Sequence, residues 1–191
     1  MREIIAAIDL ETTGLNPLKH DIIELAIVPL TADFREDADL TPFTARIRAL
    51  HPETAEPEAL AVNKLNPADG DAPEKVMENF RLWCADYGIA RIEPLGHNLD
   101  FDLQFLFYRF PELKKVFGAS RSRDTQRLAV VFNDLSMMEN GIRAFAHVSL
   151  AALRTAFGIC DPQTHRALDD ARDTVRVYRA MLGRITVNWE N

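Results

Sequence analysis

Residues 4–15 read Ile-Ile-Ala-Ala-Ile-Asp-Leu-Glu-Thr-Thr-Gly-Leu, an apolar run that ends in two carboxylates, Asp9 and Glu11. Ile4 to Ile8 is continuously apolar and rich in isoleucine, which predicts a strand buried on both faces. Along a strand, residues i and i+2 point to the same face, about 6.6 Å apart. Asp9 and Glu11 therefore converge on one side, where the sheet gives way to a turn at Thr13-Gly14. Two anions this close repel unless a cation lies between them. A solvated strand end, with acids that never cooperate, is the plain competing account of such a pair.

The chain has 191 residues, 47% of them hydrophobic, enough for one domain with a substantial core. The expected organisation is a single domain over residues 1–185 with a short tail at 186–191. No apolar run approaches the roughly 18 residues of a membrane span. The strand begins at once after the N-terminus, which leaves no room for a signal peptide and predicts a cytoplasmic protein. Cys84 and Cys160 lie far apart without metal-type spacing and read as buried free thiols. The net charge of −7 argues against a protein that coats nucleic acid by charge alone. It does not argue against a nuclease, whose clustered acids are offset by bound cations.

Strands and helices alternate along the rest of the chain. Asp21 to Leu30 and Phe43 to Ile47 read as strands. Pro52 to Pro73 reads as surface loop with one helical turn near Glu58 to Val62. Asp71-Ala-Pro-Glu74 has a capping-box pattern with proline in the first turn. It predicts a helix carrying Val76, Phe80, Trp83 and Tyr87 on its apolar side. Arg91 to Leu95 is a short strand, and Phe101 to Phe110 is a helix buried nearly all round. A strand or loop over Gly118 to Asp124, a helix through Val131, and helices over His147 to Phe157 and Ala167 to Leu182 complete the set. No repeat or linker interrupts this α/β order.

Two further segments carry chemistry. Leu95 to Phe105 reads LGHNLDFDLQF, with Asp102 at the start of the buried helix, where an acid complements the positive helix end. Asn98 fits a cap or near-cap position, and His97 a satisfied core histidine. Thr164 to Tyr178 reads THRALDDARDTVRVY, with His165 at the front of the last helix and two adjacent acids, Asp169 and Asp170. Helical geometry alone does not choose between them.

Taken together, the three segments resemble the DnaQ-like, or DEDDh, 3′→5′ exonucleases. The family's D-x-E-T-T-G is matched by Asp9, Glu11, Thr12, Thr13 and Gly14. Its H-N-x-x-F-D is matched by His97, Asn98, Phe101 and Asp102, and its H-x-x-x-x-D by His165 and Asp170. That alignment selects Asp170 over Asp169, and Arg166 stands where the tyrosine variant of the family would have its tyrosine. The resemblance covers about residues 3–180. It implies an RNase H-like fold, a mixed central sheet with an antiparallel second strand, flanked by helices.

The same resemblance implies two divalent ions, Mg²⁺ or Mn²⁺, held by Asp9, Glu11, Asp102 and Asp170, a donor set of hard oxygens suited to such cations. Asp9 would bridge the ions, Glu11 and Asp170 would complete the nucleophile side, and Asp102 would support the leaving-group side. His165 would take the proton from the attacking water, a task for which an imidazole titrating near neutrality is suited. Thr12, Thr13, Gly14 and Leu15 would contact the terminal nucleotide, with Gly14 equally readable as a plain turn glycine. Asn63 would lie near the terminal nucleoside, with Asn98 and Phe101 also substrate-facing. The expected partner is a single-stranded 3′ end, DNA in preference to RNA, and the product a nucleoside 5′-monophosphate. An exoribonuclease or a catalytically silent binding module are the competing readings, and homodimer or polymerase association stays open. Arg109 to Arg127 carries a local charge of +4, which reads either as a guide for the strand or, in preference, as a solvated face. Asp124-Thr125 reads as a helix cap.

Overall fold

The computed structural model describes residues 2–118, 121–161 and 163–185, so the expected tail at 186–191 lies outside the described residues. Five strands form one mixed sheet in the order β3-β2-β1-β4-β5. These are β1 (Arg2–Thr12), β2 (Ile22–Leu30), β3 (Phe43–Arg46), β4 (Ile89–Gly96) and β5 (Arg123–Asp124). β2 runs antiparallel to β1 and β3, whereas β4 runs parallel to β1 and to β5. The central strand β1 is longer than its apolar run because its ladder continues through the acids, pairing Asp9 with Ala26 and Glu11 with Glu24. A bulge between Glu11 and Thr12 shifts the register, and the ladder closes with Thr12 opposite Ile22.

The helices are α1 (Pro57–Asn63), α2 (Pro73–Asp86), α3 (Leu99–Arg109), α4 (Thr125–Asn140), α5 (Leu150–Ala156) and α6 (Ala167–Leu182). Period-2 alternation sorts β1 between two layers. Ile4, Ala6, Ile8 and Leu10 join Phe80 and Trp83 of α2 and Leu103 and Leu106 of α3 in the main core. Ala7 packs with Val28, Leu95, Ala171 and Val175, on the side covered by α6. Asp9 and Glu11 continue the register of Ile5 and Ala7, so they face α6. No helix among the described residues is long and apolar enough to cross a membrane.

Several boundaries depart from the sequence-based expectation for local reasons. Asp71 does not cap α2. Its backbone bridges Ile47, donating to Arg46 O and accepting from Arg48 N, so the helix starts at Pro73 after Ala72. α4 continues past Val131 to Asn140 because no breaker precedes Gly141, whose φ of 72° ends it. α5 begins only after Ser149, whose hydroxyl accepts from the Ala152 amide as its cap. α3 is buried on one side rather than all round, since Gln104 and Tyr108 are exposed. Cys84 is half-buried and Cys160 exposed, so the pair of buried thiols is not found.

Candidate active site

β1 and β4 run parallel, and both end at one edge of the sheet, the position where α/β sheets commonly bind ligands. Asp9 and Glu11 reach that edge from β1. Asp102 reaches it from the first turn of α3, directly after β4, and Asp170 from the first turn of α6. Carboxylate oxygens of Asp9, Glu11 and Asp170 all lie within 4.8 Å of one another. Asp102, buried, acts on Asp9 from the α3 side.

Burial and mutual repulsion give these acids unusual proton affinities. Asp9 is raised well above the carboxylate range by burial first, then by Asp102, Asp170 and Glu11. Glu11 is pushed up to about 8 by burial, with Asp170 and Glu24 adding to it and an Asn63 hydrogen bond opposing. Asp102 is likewise raised by burial, against hydrogen bonding from its own backbone and that of Leu10. Asp170 is raised by burial against a hydrogen bond from Gln163. One oxygen of Asp170, Oδ1, is buried without a hydrogen-bond partner among the described residues. A buried acceptor left open costs stability unless something else satisfies it. Oxygen-only donors, an open acceptor and repelling acids all fit a hard divalent cation.

His165 stands on the chain just before α6, its imidazole 43% exposed and its Nδ1 4.0 Å from Asp170 Oδ2. Its backbone is left-handed, with φ of 51°. Asp169, the neighbouring acid, is exposed and accepts a hydrogen bond from the Thr164 hydroxyl. The structure therefore brings Asp170, not Asp169, to the other acids.

The turn after Glu11 is braced from within. The Thr12 hydroxyl donates to Gly14 O, and the Thr13 hydroxyl accepts from the Asp21 amide. Both threonines and Gly14 are buried, and Leu15 alone stands out, 75% exposed. Gly14 is more than a plain turn glycine. A Cβ there would lie 2.4 Å from the His20 ring, which fills the space behind it. His20 in turn accepts from the Asn16 amide, and its carbonyl accepts from Arg109, which also pairs with Asp21 at 2.8 Å. Asn63 is buried, with its amide donating to Thr12 O and accepting from Leu65 N. It braces the turn, and its polar atoms are engaged internally.

At the α3 side, Asn98 is exposed with φ of 56° and makes no side-chain cap. Asp124 supplies the cap instead, accepting from the amides of Asn98 and Leu99 as well as from Gln126 and Arg127 at the start of its own helix α4. The capping role read for Asp124 thus extends to two helices. Phe101 is half-buried against Phe105, with ring centroids 4.9 Å apart. His97 is half-buried, with Nδ1 2.8 Å from Thr125 Oγ1, as expected for a satisfied histidine. Four of the six cations between Arg109 and Arg127 are engaged in ion pairs, Arg109 with Asp21, Arg121 and Arg123 with Glu93, and Arg127 with Asp100. That supports the solvated, paired face over a strand guide. Glu24 carries no motif that marks it in the sequence, although a lone acid in the apolar run of β2 signals a required partner.

A protein-family model described as an exonuclease, RNase_T, matches residues 6–178. Ribonuclease T of Marinobacter nauticus is 25% identical over 193 residues, covering 93% of this chain and 81% of its own. Oligoribonuclease of Photorhabdus laumondii is 26% identical over 181 residues, covering 88% and 87% respectively. Among solved structures, the nuclease domain of 3′hExo, a DEDDh family member bound to rAMP, aligns with a TM-score of 0.69 at 18% identity, over 94% of this chain and 92% of that one. At that identity the likeness speaks for the fold alone. The matched span runs through all three motifs, from Asp9 to Asp170, and the chain belongs to this exonuclease family, the DnaQ-like group with the RNase H-like fold.

Proposed function

We propose that the protein is a metal-dependent 3′→5′ exonuclease that trims single-stranded 3′ ends and releases nucleoside 5′-monophosphates. The observation that carries this reading is the meeting of carboxylate oxygens of Asp9, Glu11 and Asp170 within 4.8 Å of one another. Asp9, Glu11 and Asp170 would hold Mg²⁺ or Mn²⁺, with Asp102 supporting a second ion. Two such ions, when bound, neutralise charge on the attacking and leaving oxygens of an in-line displacement at phosphorus.

The chain's own groups do the rest. His165, solvent-accessible and beside Asp170, accepts the proton of the attacking water at an imidazole nitrogen. The braced turn from Thr12 to Gly14 offers backbone groups to the terminal nucleotide, and exposed Leu15 offers its base an apolar face. Asn98 and Phe101 border the other side, at the start of α3. Membership of the exonuclease family supports action from an end. The names of the two relatives turn the substrate preference from DNA toward RNA, since both are ribonucleases.

The test uses 5′-labelled single-stranded RNA and DNA of the same sequence, with Mg²⁺, with Mn²⁺ and with EDTA. The expected result is stepwise shortening that needs a divalent ion, faster on RNA. No shortening of either strand would overturn the reading, and cleavage of a circular single strand would make the protein an endonuclease. Faster shortening of DNA would reverse the substrate preference.

A further inference from the structure

Strand β2 is buried along its whole length, and Glu24 is its single charge. A buried carboxylate is tolerated only when paired and hydrogen-bonded. Both oxygens of Glu24 are engaged. Arg166 Nε donates to each at 3.1 Å, Arg166 Nη2 donates to Oε1 at 2.5 Å, and the Ala167 amide donates to Oε2 at 2.9 Å. Both partners stand at the N-terminus of α6, whose own N-cap residue, Arg166, makes no side-chain cap. Glu24 therefore caps α6 from the neighbouring strand, at the helix end where orphan amides favour an anion.

Directly before this clamp lies His165, at φ of 51°. The left-handed region is unfavourable for a residue with a Cβ, and such a kink persists only where its surroundings over-determine it. Arg166 returns to extended backbone, with φ of −123°, and it is Arg166 and Ala167 that Glu24 holds. Asp170 lies one turn inside α6 and has a support outside the clamp, since Gln163 donates to its carboxylate at 3.0 Å. The imidazole thus depends on the clamp more than the carboxylate does. Glu24 faces Glu11 across the β1–β2 ladder, yet its oxygens are spent on cation and amide donors, which leaves none for a metal.

We propose that Glu24 is a positioning residue for the hydrolysis: by clamping Arg166 and Ala167 it fixes the left-handed turn that aims His165. The inference rests on His165 being the proton acceptor of the proposed reaction. Glu24→Gln keeps the shape and removes the charge, and Arg166→Lys keeps the charge and removes the fork.

The experiment measures kcat and KM on a 5′-labelled single-stranded RNA, and the half-saturating Mn²⁺, for these variants alone and combined with His165→Ala. Each clamp variant is expected to lower kcat by about 10- to 100-fold, the cost of a misplaced catalytic group. KM and half-saturating Mn²⁺ should shift by less than about threefold, because Asp170 keeps its place within α6 and its hydrogen bond from Gln163. In the His165→Ala background the same substitutions should add less than about threefold, since the group they position is gone. A full multiplicative loss in that background overturns the inference while leaving His165 its role. So does recovery of activity at high Mn²⁺, which would make Glu24 part of the metal site. If Glu24→Gln shows no cooperative thermal transition, Arg166→Lys carries the same comparison, and the same two outcomes sustain or overturn the inference. Full activity of His165→Ala alone, by contrast, removes the proposed base and this inference with it.

Discussion

The end of β1 and the segment leading into α6 supply the same site by opposite means. Asp9 and Glu11 sit in a regular ladder, paired with Ala26 and Glu24 on one neighbouring strand, and the turn behind them is braced by threonine hydroxyls, His20 and Asn63. Their direction follows from strand geometry alone. His165 has no such ladder. It is 43% exposed, left-handed, and stands directly before Arg166, which Glu24 of β2 holds. In the proposed reaction, the groups that would hold charge at a fixed separation are built on a hydrogen-bonded strand, whereas the group that would exchange a proton with water is placed at the surface. Substituting one region at a time should therefore give losses of different size and kind.

The largest loss belongs to the acids. Asp170→Asn keeps the shape and removes a charged ligand, and a metal ion's charge stabilisation is worth several kcal/mol, so kcat should fall by about 10³-fold or more. Asp169→Asn, at an exposed residue that accepts a hydrogen bond from Thr164, should change kcat by less than about threefold. Parallel assays of the two neutral variants at saturating Mn²⁺ make the comparison. Equal losses would mean that α6 presents its acids in a register different from the one described.

His165→Ala should come next, with kcat reduced by about 10²–10⁴, the usual worth of a positioned general base. Binding of Mn²⁺, followed by its effect on Tm, should survive, because the cluster of close carboxylates does not include the imidazole. An unchanged kcat would place the proton acceptor elsewhere, and loss of the Mn²⁺ effect would make the histidine a ligand.

The same contrast explains what is legible in the sequence. Asp9 and Glu11 can be read from a period of two, because a strand carries its side-chain directions in its sequence. Asp102 and Asp170 can be found by motif spacing, and α6 runs over the span its apolar pattern marks. Asp71 mimics a cap because the β-bridge to Ile47 is a tertiary contact that a local pattern does not contain. The far end of α4 escapes the pattern because its apolar residues there, Leu135, Met137 and Met138, are exposed and mark no buried face. Glu24 and Arg166 are separated by 142 residues, so no local pattern contains their meeting. Gly14 is ambiguous for a related reason, since the His20 ring that requires it approaches through space.

The smallest effect concerns stability, and it probes the strand end without any substrate. In the metal-free protein Glu11 is held at about 8, against an ordinary value of 4.5, by burial and then by neighbouring acids, and Asp9 and Asp102 are raised as well. Each of these acids binds its proton more tightly folded than unfolded, so between the ordinary carboxylate range and about pH 8 the folded state carries more protons. Stability must then fall as pH rises through that window. A divalent ion competes with those protons and binds best when they have left. The gain in Tm on adding Mg²⁺ or Mn²⁺ should thus be larger at pH 8 than at pH 5.5. At a hundredfold excess over Kd the stabilisation is about 2.7 kcal/mol, or roughly 5–10 °C for a chain of this size. Asp170→Asn, with one repelling charge removed, should flatten the metal-free decline and lose most of the metal increment. A gain in Tm that is the same at both pH values would mean that the acids are already ionised without the metal. The carboxylates at the end of β1 would then not be an anionic cage held against their own repulsion, and the difference between the two regions would be one of geometry alone.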